Sequence, residues 1–168
     1  MTEKEFNEKL NLSKLEFEKQ LNQTGVSSKP LANYVASKVS GNNIYISGQL
    51  PRDLLDSGKI ITGNIDTKDE DNQMTFLAKY AATMSAMQIL LVLKNEIGDL
   101  SKIKSCVELK VFVNSTSKYT NQHIVANGAS DLICEYLDKT IAQHSRCAIG
   151  VSSLPLGAIV EIGAIFEI

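Results

Sequence analysis

Two side chains of opposite charge near the C-terminus carry the clearest chemical signal in the chain: Arg146 in SRCAIGVSS and Glu161 in AIVEIGAIFEI. Both segments alternate in the way strands do, successive side chains pointing to opposite faces. In the first, Cys147, Ile149 and Val151 share one face, and Arg146, Ala148, Gly150 and Ser152 share the other. In the second, Val160, Ile162, Ala164, Phe166 and Ile168 share one face, and Glu161, Gly163, Ile165 and Glu167 the opposite one. If the bulky faces cover helices, Arg146 and Glu161 are expected together on the second sheet face, among small residues. Such a face leaves room for a ligand or a neighbouring subunit. It equally suits an ordinary ion pair or a buried, paired interface arginine.

Other chemistries find less support. His123 and His144 have no Cys or acidic neighbour at ligand spacing, so no metal site is expected. Both read as surface or loop histidines. Cys106, Cys134 and Cys147 are sparse and odd in number, which argues against a disulfide scaffold and suits a reducing compartment. Cys106 and Cys134 read as packed thiols. SGNN and NGAS lack the spacing of a phosphate loop. Lys plus Arg number 17 against 19 Asp plus Glu, giving a net charge of −2 and no basic stripe for nucleic acid. The N-terminus MTEKEFNEKL has no apolar leader, and the weakly polar stretch Ala81 to Leu93 is shorter than a membrane span. The expectation is a protein of the cytoplasm or of an organelle that imports it, with no nucleic-acid or membrane partner and no cofactor.

These residues need elements to hold them. At 168 residues, 43% hydrophobic and 21% charged, the chain has the size and balance of one globular domain. Residues 2–22 carry Phe6, Leu10, Phe17 and Leu21 at helical spacing. Thr2 with Glu5 and Ser13 with Glu16 read as capping boxes, so two short helices or one interrupted helix are expected. This N-terminal extension spans 1–24, ahead of a single domain over 25–168. GVSSKP (25–30) is read as a loop, LANYVASKV as a strand, SGNN (40–43) as a turn and IYISG (44–48) as a second strand. The 49–72 stretch is loop with one short strand at Lys59–Ile65.

A long helix is expected from Asn72 or Thr75 to Ile97, closed by Gly98, with Phe76, Tyr80, Met84, Met87 and Leu91 as its core stripe. Cys106–Val113 alternates as a strand, with Val107, Leu109, Val111 and Val113 on one face. Asn121 to Leu137 reads as a second helix. Ser145–Leu154 and Ala158–Ile168 read as two closing strands around a Pro155–Gly157 turn. The order predicts an α+β fold, a two-layer sandwich with helices on one face of the sheet.

Three segments, NYVASKVSGNNIYISGQLP (33–51), VFVNSTSKYTNQHIVANGASDL (111–132) and SRCAIGVSSLPLGAIVEIGAIFEI (145–168), resemble the Rid/YjgF family, also labelled endoribonuclease L-PSP or translation-initiation inhibitor. The resemblance is to its longer, VANGASDL-type branch and runs from about Tyr34 to the C-terminus. It implies a chorismate-mutase-like mixed sheet and a homotrimer with ligand clefts between subunits. It also implies metal-free, hydrolytic deamination of reactive 2-enamine and 2-imine acids to 2-keto acids and ammonia.

Carried over by position, Arg146 falls at the arginine that holds the substrate carboxylate and Glu161 at the closing-strand glutamate. Tyr34 falls at the first-strand tyrosine, Gly48 at the glycine of SGQ, and Asn127 at the helix asparagine. Where the family has a cysteine two residues after the arginine, this chain has Ala148, which offers only its backbone. Two other readings stand beside the deaminase: a non-catalytic trimer that binds small carboxylates, and a ribonuclease or translation inhibitor, which the charge balance disfavours.

Overall fold

In the computed structural model, residues 1–23, 32–66 and 72–168 are described. Thr2 and Glu5 form the expected capping box at the start of α1 (Glu3–Leu21). The expected interruption at Ser13 does not occur, and α1 runs unbroken. Ser13 is buried, and its hydroxyl lies 2.7 Å from the Tyr80 hydroxyl of the next helix. Tyr80 donates to Asp53 Oδ1 at 3.0 Å, so Ser13 donates to Tyr80. Lys9 of α1 forms an ion pair with the other oxygen of Asp53. Burial pushes the pKa of the Tyr80 hydroxyl far above its ordinary value. The loop expected at 25–30, the boundary at 24/25 and Leu31 lie outside the described residues.

β1 (Ser37–Ser40) and β2 (Asn43–Gln49) form a hairpin around Gly41, and β3 (Arg52–Asp53) pairs with β4 (Lys59–Ile60) as a separate ribbon. The strand expected from Leu31 begins only at Ser37, which pairs with Ile46. Just before it, the Ser47 N–H donates to Ala36 O at 3.0 Å and the Ser47 hydroxyl to Val35 O at 2.7 Å. α2 (Gln73–Ile97) ends at Gly98, whose φ of 79° is the left-handed stop anticipated there. It is buried on nearly all sides from Ala78 to Leu93. Long and apolar enough to cross a membrane, this helix has most of its apolar length inside the fold.

β5 (Ser105–Asn114), α3 (Gln122–Tyr136), the short α4 (Lys139–Ala142), β6 (Ser145–Val151) and β7 (Val160–Glu167) complete the chain. The five-stranded sheet has the order β1-β2-β7-β5-β6, antiparallel except for the parallel β5–β6 pair. This is the expected mixed sheet with α2 and α3 on one face. β6 and β7, however, are not a closing hairpin: β5 lies between them. A parallel neighbour needs a crossover, and α3 and α4 supply it.

A bulge corrects the alternation of β5. Cys106 pairs with Phe166 and Glu108 with Ile165, so Val107 is the extra residue. Cys106 therefore points into the core with Leu109, Val111 and Val113, while Val107 is exposed. Burial pushes the Cys106 thiol up to about 12. Cys134, expected to be packed, is exposed on α3.

Replacing Tyr80 by Phe would leave a buried serine and carboxylate short of a partner. The Tyr80→Phe variant is expected to lose about 1–3 kcal/mol in urea unfolding. A loss below about 0.5 kcal/mol would mean the network does not fasten α1 to the body.

Candidate functional site at the sheet edge

Register decides where the two charged residues point. Arg146 stands beside Leu109, Ala148 beside Val111 and Gly150 beside Val113, three fully buried residues of the helix-covered face. Glu161 stands beside Phe112, on the face without helices. The expectation that Arg146 and Glu161 share one face is therefore corrected: they lie on opposite faces of one sheet.

The physical reason is that the small residues of β6 face α3, not away from it. A β-carbon at Gly150 would meet Gln122 Nε2 at 2.7 Å and Ser115 Oγ at 2.9 Å. Bulk is excluded where the chain packs this closely, so Cys147, Ile149 and Val151 take the open face instead. Gly128, packed on the Lys79 carbonyl, brings α3 equally close to α2.

α3 presents His123, Asn127 and Ser130 toward Arg146, spaced as one helical stripe. Nη1 of Arg146 donates to Asn127 Oδ1 at 3.0 Å and to Ser130 Oγ at 2.8 Å, and Nη2 donates to the His123 carbonyl at 3.4 Å. All three acceptors are neutral. Among the described residues no carboxylate pairs with this arginine. A guanidinium has five N–H donors. Three are engaged, which leaves Nε–H and one Nη2–H of this exposed residue without a partner among the described residues.

Ala148 is half-buried on the same strand face as Arg146. Val151 O accepts from Ser115 N and so faces β5. By alternation the backbone N–H and C=O of Ala148 face the free edge of β6, where no ladder partner stands.

On the other face, Glu161 is half-buried, and among the described residues neither of its oxygens has a hydrogen-bond partner. Desolvation raises its pKa above the ordinary carboxylate value. A β-carbon at Gly48 would fall on the Glu161 carboxylate, so any larger residue here requires that side chain to move. Gly48 lies in the irregular stretch of β2, where a bulge re-aims the backbone. Tyr34 is exposed in irregular chain before β1 and not on the first strand as expected, and no hydrogen bond or ring contact among the described residues joins it to Arg146 or Glu161.

The structure thus gathers Arg146, Asn127 and the edge of Ala148 in one place, and Glu161 with Gly48 in another. Sequence reasoning missed Ser130 and set His144 aside. Ser130 Oγ lies 3.0 Å from His144 Nε2, and His144 Nδ1 lies 2.6 Å from the Ala142 carbonyl. The available signal was helical spacing from Asn127 to Ser130 and the two-residue step from His144 to Arg146. No cluster able to hold a metal is found among the described residues.

A mixed five-stranded sheet with helices on one face, and among the described residues none on the other, defines a two-layer α+β protein. The chain belongs to the endoribonuclease L-PSP family, the Rid/YjgF family, whose model matches residues 24–168. It is 39% identical over 142 residues to protein TCP17 of Trypanosoma cruzi, covering 84% of this chain and 85% of that one. Atu1372 of Agrobacterium tumefaciens is similar in structure, with a TM-score of 0.73, 38% identity and 97% of each chain covered. TdcF of E. coli, solved with bound serine, shares the fold at a TM-score of 0.59 and 17% identity, over 87% of this chain and 96% of its own.

Glu161 gives a pH prediction. A carboxyl whose pKa is raised by folding binds its proton more tightly in the folded state, so stability falls as pH rises from the ordinary value near 4.5 through the raised one. Glu161→Gln and wild type are expected to melt alike at acid pH, and the variant is expected to melt higher than wild type at neutral pH. A gap that does not widen with pH would contradict the desolvated carboxylate.

Proposed function

We propose that the protein is a hydrolytic deaminase of small 2-imino acids, with its site shared between subunits of a homotrimer. The observation that carries this reading is the Arg146 guanidinium: exposed, held by three neutral acceptors, and with no acid beside it among the described residues. Its free Nε–H and Nη2–H form a planar fork that matches a carboxylate through two charge-assisted hydrogen bonds. Serine bound to TdcF is a small carboxylate of the same class.

Arg146 and Glu161 lie on opposite sheet faces, so one chain cannot offer both to one small ligand. A site that uses both takes Arg146, Asn127 and the Ala148 backbone from one subunit and Glu161, Gly48 and Tyr34 from a neighbour. The face without helices supports such an assembly. It exposes Tyr45 and Ile149, each at more than two-fifths of its surface, around the half-buried Phe112. An apolar sheet face of this kind calls for a partner.

In the reaction, water adds to the iminium carbon, the C–N bond breaks, and one 2-keto acid and one ammonium ion leave. The iminium is already electrophilic. Arg146 orients its carboxylate. Glu161, with its raised pKa, takes a proton from the attacking water and returns it to the departing nitrogen. Gly48 lets the substrate approach the carboxylate, and Tyr34 closes the cleft. The proposed setting is the reducing cytoplasm, with no nucleic-acid or membrane partner.

The test generates 2-iminobutanoate in situ and follows release of 2-oxobutanoate. Arg146→Ala is expected to lower kcat/KM roughly 10- to 150-fold, as charged hydrogen bonds of about 1.5–3 kcal/mol imply. Wild type no faster than buffer would remove the deaminase reading. If Glu161→Gln keeps full turnover while Arg146→Ala abolishes it, Glu161 is not the acid–base group. Mixing Arg146→Ala with Glu161→Gln chains and letting subunits exchange is expected to restore activity, because some clefts then receive both intact residues. Failure to restore it, with exchange demonstrated, would place the site within one chain.

A further inference from the structure

We propose that Ser130 and His144 form a relay that positions the Arg146 guanidinium, so that its Nε–H edge, and not its terminal edge, is turned to the substrate carboxylate. This rests on the carboxylate-binding reading above. The directions of the bonds follow from the groups. The Ala142 carbonyl only accepts, so His144 Nδ1 carries the hydrogen in the 2.6 Å bond. In the neutral ring Nε2 is then an acceptor, and the Ser130 hydroxyl donates to it across 3.0 Å. Arg146 only donates, so Ser130 Oγ accepts from Nη1 at 2.8 Å. The hydroxyl is polarised in one sense from end to end, and each member is satisfied.

The relay also has a fixed origin. Ala142 closes α4 and is itself buried, and its carbonyl sits two residues before His144 at the entry to β6. The backbone at the end of the crossover thus sets the ring, the ring sets the hydroxyl, and the hydroxyl with Asn127 takes both hydrogens of Nη1. With Nη1 spent, the carboxylate is left the Nε side. Ser130 and His144 touch no substrate in this scheme; they act through Arg146.

The closing experiment measures 2-oxobutanoate binding and the kinetics of 2-iminobutanoate hydrolysis for wild type, Ser130→Ala, Ser130→Thr, His144→Gln and the double variant Ser130→Ala/His144→Gln. The 15N shifts of His144 are recorded in parallel. The expected result is a three- to tenfold rise in Kd and KM for Ser130→Ala with kcat within about twofold, substantial rescue by threonine, and a double variant no worse than Ser130→Ala alone. The shifts are expected to show hydrogen on Nδ1 and a lone pair on Nε2.

Unchanged KM in Ser130→Ala while Arg146→Ala abolishes binding would overturn the relay and leave the deaminase reading standing. Additive losses in the double variant, or hydrogen on Nε2, would also overturn it. If wild type neither binds the keto acid nor turns over the imine, the functional reading fails. The relay is then decided by the His144 shifts alone: the Nδ1–H form, altered in Ser130→Ala, supports it, and any other form overturns it.

Discussion

The register of β5 between its two neighbours is the constraint on which the site depends. β7 runs antiparallel on one side and β6 parallel on the other. Pairing is locked on both sides because Leu109, Val111 and Val113 must stay under the helices. A slip of one residue would turn every buried side chain of the strand outward. With β5 fixed, Arg146 must face α3 and Glu161 must face away. Two charges that a linear reading brings together are thereby separated by the thickness of a sheet, and each acquires its own environment.

Those environments differ in kind. Arg146 meets amide, hydroxyl and carbonyl oxygens, dipoles that orient a cation without cancelling its charge. Glu161 is half-buried without a hydrogen-bond partner among the described residues, and its charged form is disfavoured. Neither arrangement is optimal for the stability of an isolated chain. An arginine with no acid beside it among the described residues and a half-buried carboxylate with a raised pKa are the sort of local cost that accompanies a site, where interactions are completed by something outside the chain. The apolar sheet face beside Glu161 asks for the same completion. α1, in contrast, is fastened to α2 and β3 by a closed network of Lys9, Ser13, Tyr80 and Asp53, and stands apart from both groups.

Period and punctuation in the chain foretold most of the fold. α2 and α3 fall where the 3.6-residue pattern and Gly98 put them, and the α+β layering followed from the order of elements. What escaped was set by tertiary contact. Ser13 looked like a helix start because its type favours caps, but a buried tyrosine claimed its hydroxyl. The bulge at Val107 inverted one residue of an otherwise clean alternation. The parity of β6 was read correctly, yet its faces were assigned by bulk, and the close approach of α3 at Gly150 reversed the assignment. Arg146, Asn127 and Ala148 do converge. Ser130 and His144 were overlooked because their spacing to Asn127 and Arg146 gains meaning only once the fold brings a helix stripe and a strand entry to one guanidinium.

The account turns on an arginine of one subunit and a glutamate of the next closing on one carboxylic acid. The most direct test is a crystal structure of the protein with 2-oxobutanoate. The account predicts its carboxylate on Nε and Nη2 of Arg146, with Glu161 of a neighbouring copy beside the keto carbon. A ligand bound elsewhere, or Arg146 paired with an acid of an adjoining subunit, would contradict it.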